Sequence, residues 1–181
     1  LCDEKVREIL ATEGVGEFVY GVDAGSLEAS LVSRLREKGL TLSCAESCTG
    51  GLVAKRIVDI SGCSDVFTGG AVTYANEAKM RLLGVKKDTL DRFGAVSEQT
   101  AAEMAEGIRK ALSTDLGIST TGIAGPGGGT PDKPVGTVFV AVASDAGVKV
   151  KRLSLSPMRD RDYIRYVSAS NALHLALKEI L

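Results

Sequence analysis

"TLSCAESCTGGLVAKRI", Thr41 to Ile57, changes its hydrophobic period part-way along. With Leu40 in front, its first half is a short apolar run of strand length; its second half spaces Leu52, Val53, Ile57 as a helix does. The joint holds Glu46, Ser47, Cys48, Thr49, Gly50 and Gly51. A strand entering a helix through such a turn is the building unit of a layered α/β fold, in which ligands lie beyond the carboxyl ends of the strands. The pattern predicts a helix from about Thr49, with the glycines allowing close backbone approach.

Outward from this unit the alternation continues. Ser26 caps a helix that carries Leu27, Leu31, Val32 and Leu35 on one side and ends at Gly39. "DVFTGGAVTYA" reads as a strand, "NEAKMRLLG" as a helix closed by Gly84, and "SEQTAAEMAEGIRKAL" as a helix capped by Ser97. "LGISTTG" is a strand entering the glycine- and proline-rich loop "GIAGPGGGTPDKPVG"; "TVFVAVAS" and "VKVKRLSLS" form a hairpin, and a long helix runs from about Asp160 to Leu181. The expected fold is α/β, a layered arrangement with a mixed, mainly parallel sheet flanked by helices. The main domain is expected over 25–181, with 1–24, including "GEFVYGVD", the tail of a preceding domain or a linker.

Composition narrows the classes of function. At 181 residues the chain buries a core of ordinary size, and 22 basic against 23 acidic residues leave a net charge of −1. No global field recruits nucleic acid or an anionic membrane, and no apolar stretch approaches the roughly 20 residues of a membrane span. Without a recognisable leader the chain is expected to be soluble and cytoplasmic. Cys2, Cys44, Cys48 and Cys63 match no paired zinc spacing, so reduced thiols acting as small apolar residues are expected and a metal is not. His174 is the sole histidine and falls in the helical pattern "SNALHLALKEIL", which places it on a helix face rather than in a site.

A serine just ahead of a helix is commonly a cap, and Ser47 reads that way on spacing alone. The polar crowding of Glu46, Ser47 and Thr49 beside two glycines also suits a nucleophilic hydroxyl, which needs backbone amides for its oxyanion. Cys48 is the rival nucleophile. With no histidine nearby, a serine needs another base. Lys79 in "VTYANEAK" serves if burial favours its neutral amine, with the Tyr74 hydroxyl relaying or orienting the proton and Asn76 holding a carboxamide. Lys79 as a solvated helix charge and Tyr74 as a half-buried strand residue are the plain alternatives. The glycine-rich loop lacks both a Walker ending and a dinucleotide fingerprint, yet successive glycine amides bind anions, with Thr120 and Thr121 at the edge. Arg159, Arg161 and Arg165 form either a solvated helix start or a phosphate clamp.

Four stretches together, "TLSCAESCTGGLVAKRI", "GGAVTYANEAKMRLLGV", "FGAVSEQTAAEMAEG" and "TGIAGPGGGTPDKPVGTVFVA", resemble the carboxy-terminal domain of competence/damage-inducible protein CinA, the nicotinamide-nucleotide amidase (NMN deamidase) family. The resemblance runs from about Ser26 to the end of the chain. It implies an amidohydrolase that converts nicotinamide mononucleotide to nicotinate mononucleotide and ammonia in pyridine-nucleotide salvage. It implies Ser47 as nucleophile, Tyr74 and Lys79 as its partners, and substrate contacts from Thr121, Gly122 and Arg161 in addition to the Glu46 to Gly51 turn and Asn76. Family members often carry Gly-Asp-Arg where this chain has Arg159-Asp160-Arg161, which leaves two arginines as candidates for the substrate contact. The expected partner is a small nucleotide substrate, with no organic cofactor; a homo-oligomer and, upstream, a molybdopterin-binding-like domain are also implied. A catalytically silent nucleotide-binding or interaction module is the alternative. An oxidoreductase use of Tyr74 and Lys79 lacks a dinucleotide fingerprint.

Overall fold

The structure, a computed structural model, describes residues 2–15, 19 and 25–181. "GEFVYGVD" therefore lies almost wholly outside the described residues. A first helix, α1, spans Cys2–Ala11. The layered body then runs α2 (Leu27–Lys38), β1 (Leu42–Glu46), α3 (Leu52–Val58), a 3-10 turn (Cys63–Asp65), β2 (Phe67–Val72), α4 (Asn76–Leu83), α5 (Lys87–Phe93), α6 (Glu98–Leu112), β3 (Leu116–Gly122), β4 (Thr137–Ser144), β5 (Gly147–Ser154) and α7 (Arg161–Glu179).

Five strands form one sheet in the order β2-β1-β3-β4-β5. β1 pairs in parallel with both β2 and β3, and β4 pairs antiparallel with β3 and β5. The expected α/β class and mixed sheet are therefore found, with the antiparallel part extending from the hairpin to the β3–β4 pair. Alternation along the strands sets the two faces. Leu42, Cys44, Ile118, Val138, Val140 and Val142 meet α2, α3 and α7 through Leu31, Leu35, Ile57, Leu173 and Leu177. The opposite face is built from smaller residues: Ala45 with Met104 and Ile108, and Ala141 and Ala143 with Ala101 and Ala105. Small side chains there let α6 lie close, and Ser119 Oγ reaches the Ala101 carbonyl at 2.6 Å. Gly117 faces the Ala105 carbonyl, leaving no room for a Cβ.

Helix ends follow the sequence signals where a side chain caps. Ser26, Ser97 and Asp160 accept from Ala29, Thr100 and Tyr163 amides, and Gly39 and Gly84 close α2 and α4 in the left-handed region. The start of α3 departs from expectation. It begins at Leu52, and its cap is Gly51 at φ +96 with Gly50 at φ +61, so both glycines serve a left-handed turn that other residues adopt at a cost. Gly51 has no side chain to cap with, and Glu46 supplies the acceptor from the end of β1. One of its oxygens accepts from Gly51 N (2.9 Å), Val53 N (3.0 Å) and Thr49 Oγ1 (2.6 Å), and the other from Ala54 N (2.8 Å). Since the single Thr49 proton goes to Glu46, the 2.6 Å contact to Thr120 Oγ1 is donated by Thr120, which carries the chain of bonds onto β3. α5 was not foreseen; it is a seven-residue helix between α4 and α6.

Glu46→Gln turns one of these acceptors into a donor facing backbone N–H groups. We expect it to lower the unfolding free energy by about 2 kcal/mol, the cost of an unsatisfied buried polar pair. Urea denaturation measures the change, and an unchanged midpoint would show that the cap contributes nothing to stability.

Candidate active site

The parallel strands β2, β1 and β3 are adjacent, so their carboxyl ends lie side by side. Glu46 is in register with Val72 on one side and Thr120 on the other. The next amides continue the ladder: Ser47 N donates to Thr120 O at 3.0 Å and Thr73 N to Glu46 O at 2.8 Å. Strand register alone thus brings Ser47, the Thr73-Tyr74 segment and the loop after Gly122 to one place. They line a cavity of about 260 Å³ with Cys48, Lys79, Arg161, the Ala95-Val96 segment and the start of the glycine-rich loop.

Lys79 is the most unusual residue in it. Its side chain is fully buried, at 1% exposure, and no carboxylate of the described residues touches it. Nζ lies 2.8 Å from the Thr73 carbonyl, 3.1 Å from the Tyr74 carbonyl and 3.2 Å from Ser47 Oγ. Burial pulls its pKa below the ordinary lysine value, against the opposing influence of Cys48 and Glu77. The three contacts suit a neutral amine: two N–H groups go to the two carbonyls and the lone pair is left for the Ser47 hydroxyl. An ammonium would satisfy all three as acceptors, so the same site holds both ends of a proton transfer.

Cys48 contrasts with it. Burial pushes its thiol up to about 12, with Glu46 adding to the rise and its own amide, Arg161 and Lys79 opposing it. A thiol so raised is a weak nucleophile at neutral pH. It packs instead in the main core cluster, as Cys44 does.

The remaining expected site residues fall into two groups. Thr121 and Gly122 line the cavity, although the Thr121 hydroxyl donates to the Ala95 carbonyl at 2.6 Å and so helps hold the wall. Arg161, first residue of α7, lines it too and donates from Nη1 to the Gly125 carbonyl at 2.7 Å. By contrast, Glu46, Thr49, Gly50, Gly51 and Asn76 do not line the cavity. Glu46 and Thr49 are buried in the cap of α3, and Asn76 is solvent-exposed at the first position of α4. Tyr74 also departs from the expected relay. Its ring is 65% exposed and lines the cavity, its hydroxyl makes no hydrogen bond among the described residues, and it reaches Lys79 through its main chain.

The turn's supply of amides is narrower than expected as well. Ser47, Gly50, Gly51 and Leu52 amides are engaged by Thr120, Ser47, Glu46 and Thr49 respectively. Cys48 N and Thr49 N make no hydrogen bond to another residue among the described residues; of the two residues Cys48 lines the cavity, which leaves its amide beside Ser47 to receive an oxyanion. The other two arginines of the tail are occupied elsewhere: Arg159 lies over the Tyr163 ring, 4.9 Å from its centroid, and Arg165 donates to the Thr49 carbonyl. Ala95, Val96, Ile123 and Ala124 were not foreseen as wall residues, because apolar side chains in connecting segments carry no chemical signature. Among the described residues, no cluster of three or more histidine, cysteine, aspartate or glutamate side chains is placed to hold a metal, and no helix is long and apolar enough to cross a membrane.

Comparison with known proteins gives the family of the chain. The model of the CinA C-terminal domain matches residues 24–180. A CinA-like protein of Kosmotoga olearia is 53% identical over 169 residues, 93% of this chain but only 40% of its own length. The chain thus spans about two fifths of that relative. Among solved structures, a competence/damage inducible protein of Agrobacterium tumefaciens superposes with a TM-score of 0.81 at 40% identity, covering 88% of this chain and 98% of the other. A CinA superfamily protein of Enterobacter cloacae gives 0.76 at 37% identity, covering 86% and 89%. A sheet that sets three loops around a serine and a buried lysine, together with these matches over nearly its whole length, shows that the chain belongs to the CinA C-terminal domain family.

Proposed function

We propose that this domain is a serine amidohydrolase that deamidates nicotinamide mononucleotide to nicotinate mononucleotide and ammonia. The observation that carries the reading is the buried Lys79 amine, held by two main-chain carbonyls with Ser47 Oγ as its third neighbour. A side chain as costly to bury as lysine, with no counter-charge in contact, is accounted for by use as a proton acceptor.

In this reading Ser47 Oγ attacks the carboxamide carbon as its proton passes to Lys79. The carbonyl oxygen becomes the oxyanion and is received by the Cys48 amide. Collapse breaks the C–N bond, and the leaving nitrogen takes the proton from Lys79 to depart as ammonia. Water then attacks the ester on Ser47, giving its proton to Lys79, and the nicotinate carboxylate is released as Ser47 recovers its own. The exposed Tyr74 ring offers a face to the pyridinium ring of the substrate. Arg161 and the amides of Gly127 and Gly128, which donate to no backbone carbonyl among the described residues, suit the phosphate.

Ammonia release from nicotinamide mononucleotide by the purified chain tests the proposal directly. Ser47→Ala is expected to reduce kcat by at least about 10³-fold without loss of fold, and a variant retaining a third of the wild-type rate would remove Ser47 from the nucleophile's place. The riboside lacking phosphate should lose on the order of 2 kcal/mol in kcat/KM, and Arg161→Met should lower turnover of the nucleotide much more than that of the riboside.

Lys79 gives a paired prediction. Its folded pKa lies below the ordinary value, so between the two the unfolded chain binds more protons and stability rises with pH. Below the folded pKa both states carry the proton, and the burial penalty is present in full. Lys79→Met is therefore expected to abolish turnover while leaving neutral-pH stability equal or higher and flattening its rise toward alkaline pH. Activity of the wild type should climb with pH through the same folded pKa. A Lys79→Met protein that is destabilised at neutral pH would mean that the amine is a structural donor.

A further inference from the structure

Arg165 was one of three arginines read either as a solvated helix start or as a phosphate clamp, and its guanidinium is turned instead to the main chain of the serine turn. Nε and Nη2 both donate to the Thr49 carbonyl, at 3.2 and 2.7 Å, and Nη1 lies 3.5 Å from the carboxylate of Asp162, which is itself 91% exposed. A two-pronged, charged donor on one peptide oxygen is a strong hydrogen bond.

What lies behind that oxygen gives the contact its interest. The Thr49 carbonyl and the Gly50 N–H belong to one peptide group, and Gly50 N donates to the Ser47 carbonyl at 3.2 Å. The Ser47 carbonyl in turn shares its peptide group with the Cys48 N–H. The connected path is guanidinium, Thr49–Gly50 peptide, Ser47–Cys48 peptide, and then the amide of Cys48, a residue that lines the cavity and whose N–H makes no hydrogen bond to another residue among the described residues. A positive group that draws on a carbonyl oxygen makes the N–H across the same peptide a better donor, and each link in such a chain strengthens the next by about 10–30%.

We propose that Arg165 is a positioning residue for the oxyanion site: through two peptide groups it orients and polarises the Cys48 amide that receives the charge developed when Ser47 attacks. The proposal rests on the amidohydrolase reading for its natural substrate, but on Ser47 and the turn alone for its physics. Arg161, one helical turn earlier on α7, binds the Gly125 carbonyl instead. The first two turns of α7 therefore brace two different loops of the site, and of these two arginines it is Arg165 that hydrogen-bonds the serine turn.

The test compares wild type with Arg165→Lys and Arg165→Met in two assays on the full chain. The first is steady-state hydrolysis of nicotinamide mononucleotide. The second is the rate at which a fluorophosphonate labels Ser47, a reaction that forms the Oγ–P bond, expels fluoride and passes the serine proton to Lys79 without any nucleotide; Ser47→Ala is its blank. We expect Arg165→Met to lower kcat and the labelling rate together, on the order of tenfold, a fraction of what deletion of a whole oxyanion donor costs. KM and affinity for the product, nicotinate mononucleotide, should stay within about twofold of wild type, and Arg165→Lys, which keeps charge but loses the fork, should fall between. Unchanged product affinity also shows that the variant is folded.

A raised KM with kcat and labelling intact would make Arg165 a substrate contact and overturn the proposal, as would no change in either assay. A loss of product affinity and labelling in both variants would reduce Arg165 to a structural brace and overturn it too. Labelling that depends on Arg165 in a protein that does not hydrolyse the nucleotide would uphold the relay and refute the proposed substrate. A wild-type chain that is not labelled at Ser47 would refute both.

Discussion

Everything at the head of the sheet depends on a carboxylate that never meets the cavity. Glu46 ends β1 and closes the amino terminus of α3, holding three backbone N–H groups and the Thr49 hydroxyl on its two oxygens. A helix start is electropositive and short of acceptors, so a buried carboxylate is tolerable there where it would be costly elsewhere. The result is a rigid junction in which strand, turn and helix cannot move separately. Ser47, the residue after Glu46, inherits its position from that junction and from the ladder bond to Thr120.

This constraint also explains which parts of the site were legible in the sequence. The order of strands and helices followed from hydrophobic period and caps, and parallel neighbours then place the ends of β1, β2 and β3 together. Ser47 and Lys79, 32 positions apart, were paired in the sequence because a serine with no nearby histidine needs another base, and the adjacency of β1 and β2 brings them together. Lys79 sits one turn inside α4, where the helix axis and the Thr73-Tyr74 entry carry Nζ back to the strand ends.

The residues whose placement departs from expectation share one property: their surroundings are set by partners, not by residue type. Glu46 and Thr49 have the chemistry of substrate contacts and are spent as caps, because Gly51 leaves the helix start unserved. Tyr74 has a phenol suited to proton relay, but in the segment that joins β2 to α4 its side chain is largely exposed at the cavity wall while its carbonyl meets Lys79. Asn76 is exposed at the first position of α4, although Lys79, three residues on and so near the same helix face, is buried. The short α5 carries little apolar pattern of its own. It ends at Gly94, after which Ala95 accepts from Thr121 and the Phe93 carbonyl accepts from Lys133 of the glycine-rich loop at 2.8 Å.

The two acceptors that orient Lys79 belong to the polypeptide backbone, the one part of a protein that point mutation does not rewrite. A histidine base is aligned by a neighbouring carboxylate, and a single codon change can remove that partner. Here the bearings of the amine are supplied by the Thr73 and Tyr74 carbonyls whatever side chains those positions carry, as long as the chain enters α4 along the same path. The side chains around the amine are thus released from aligning it. Substitutions at the mouth of this site can reshape it with the Lys79 amine kept in place by main-chain geometry.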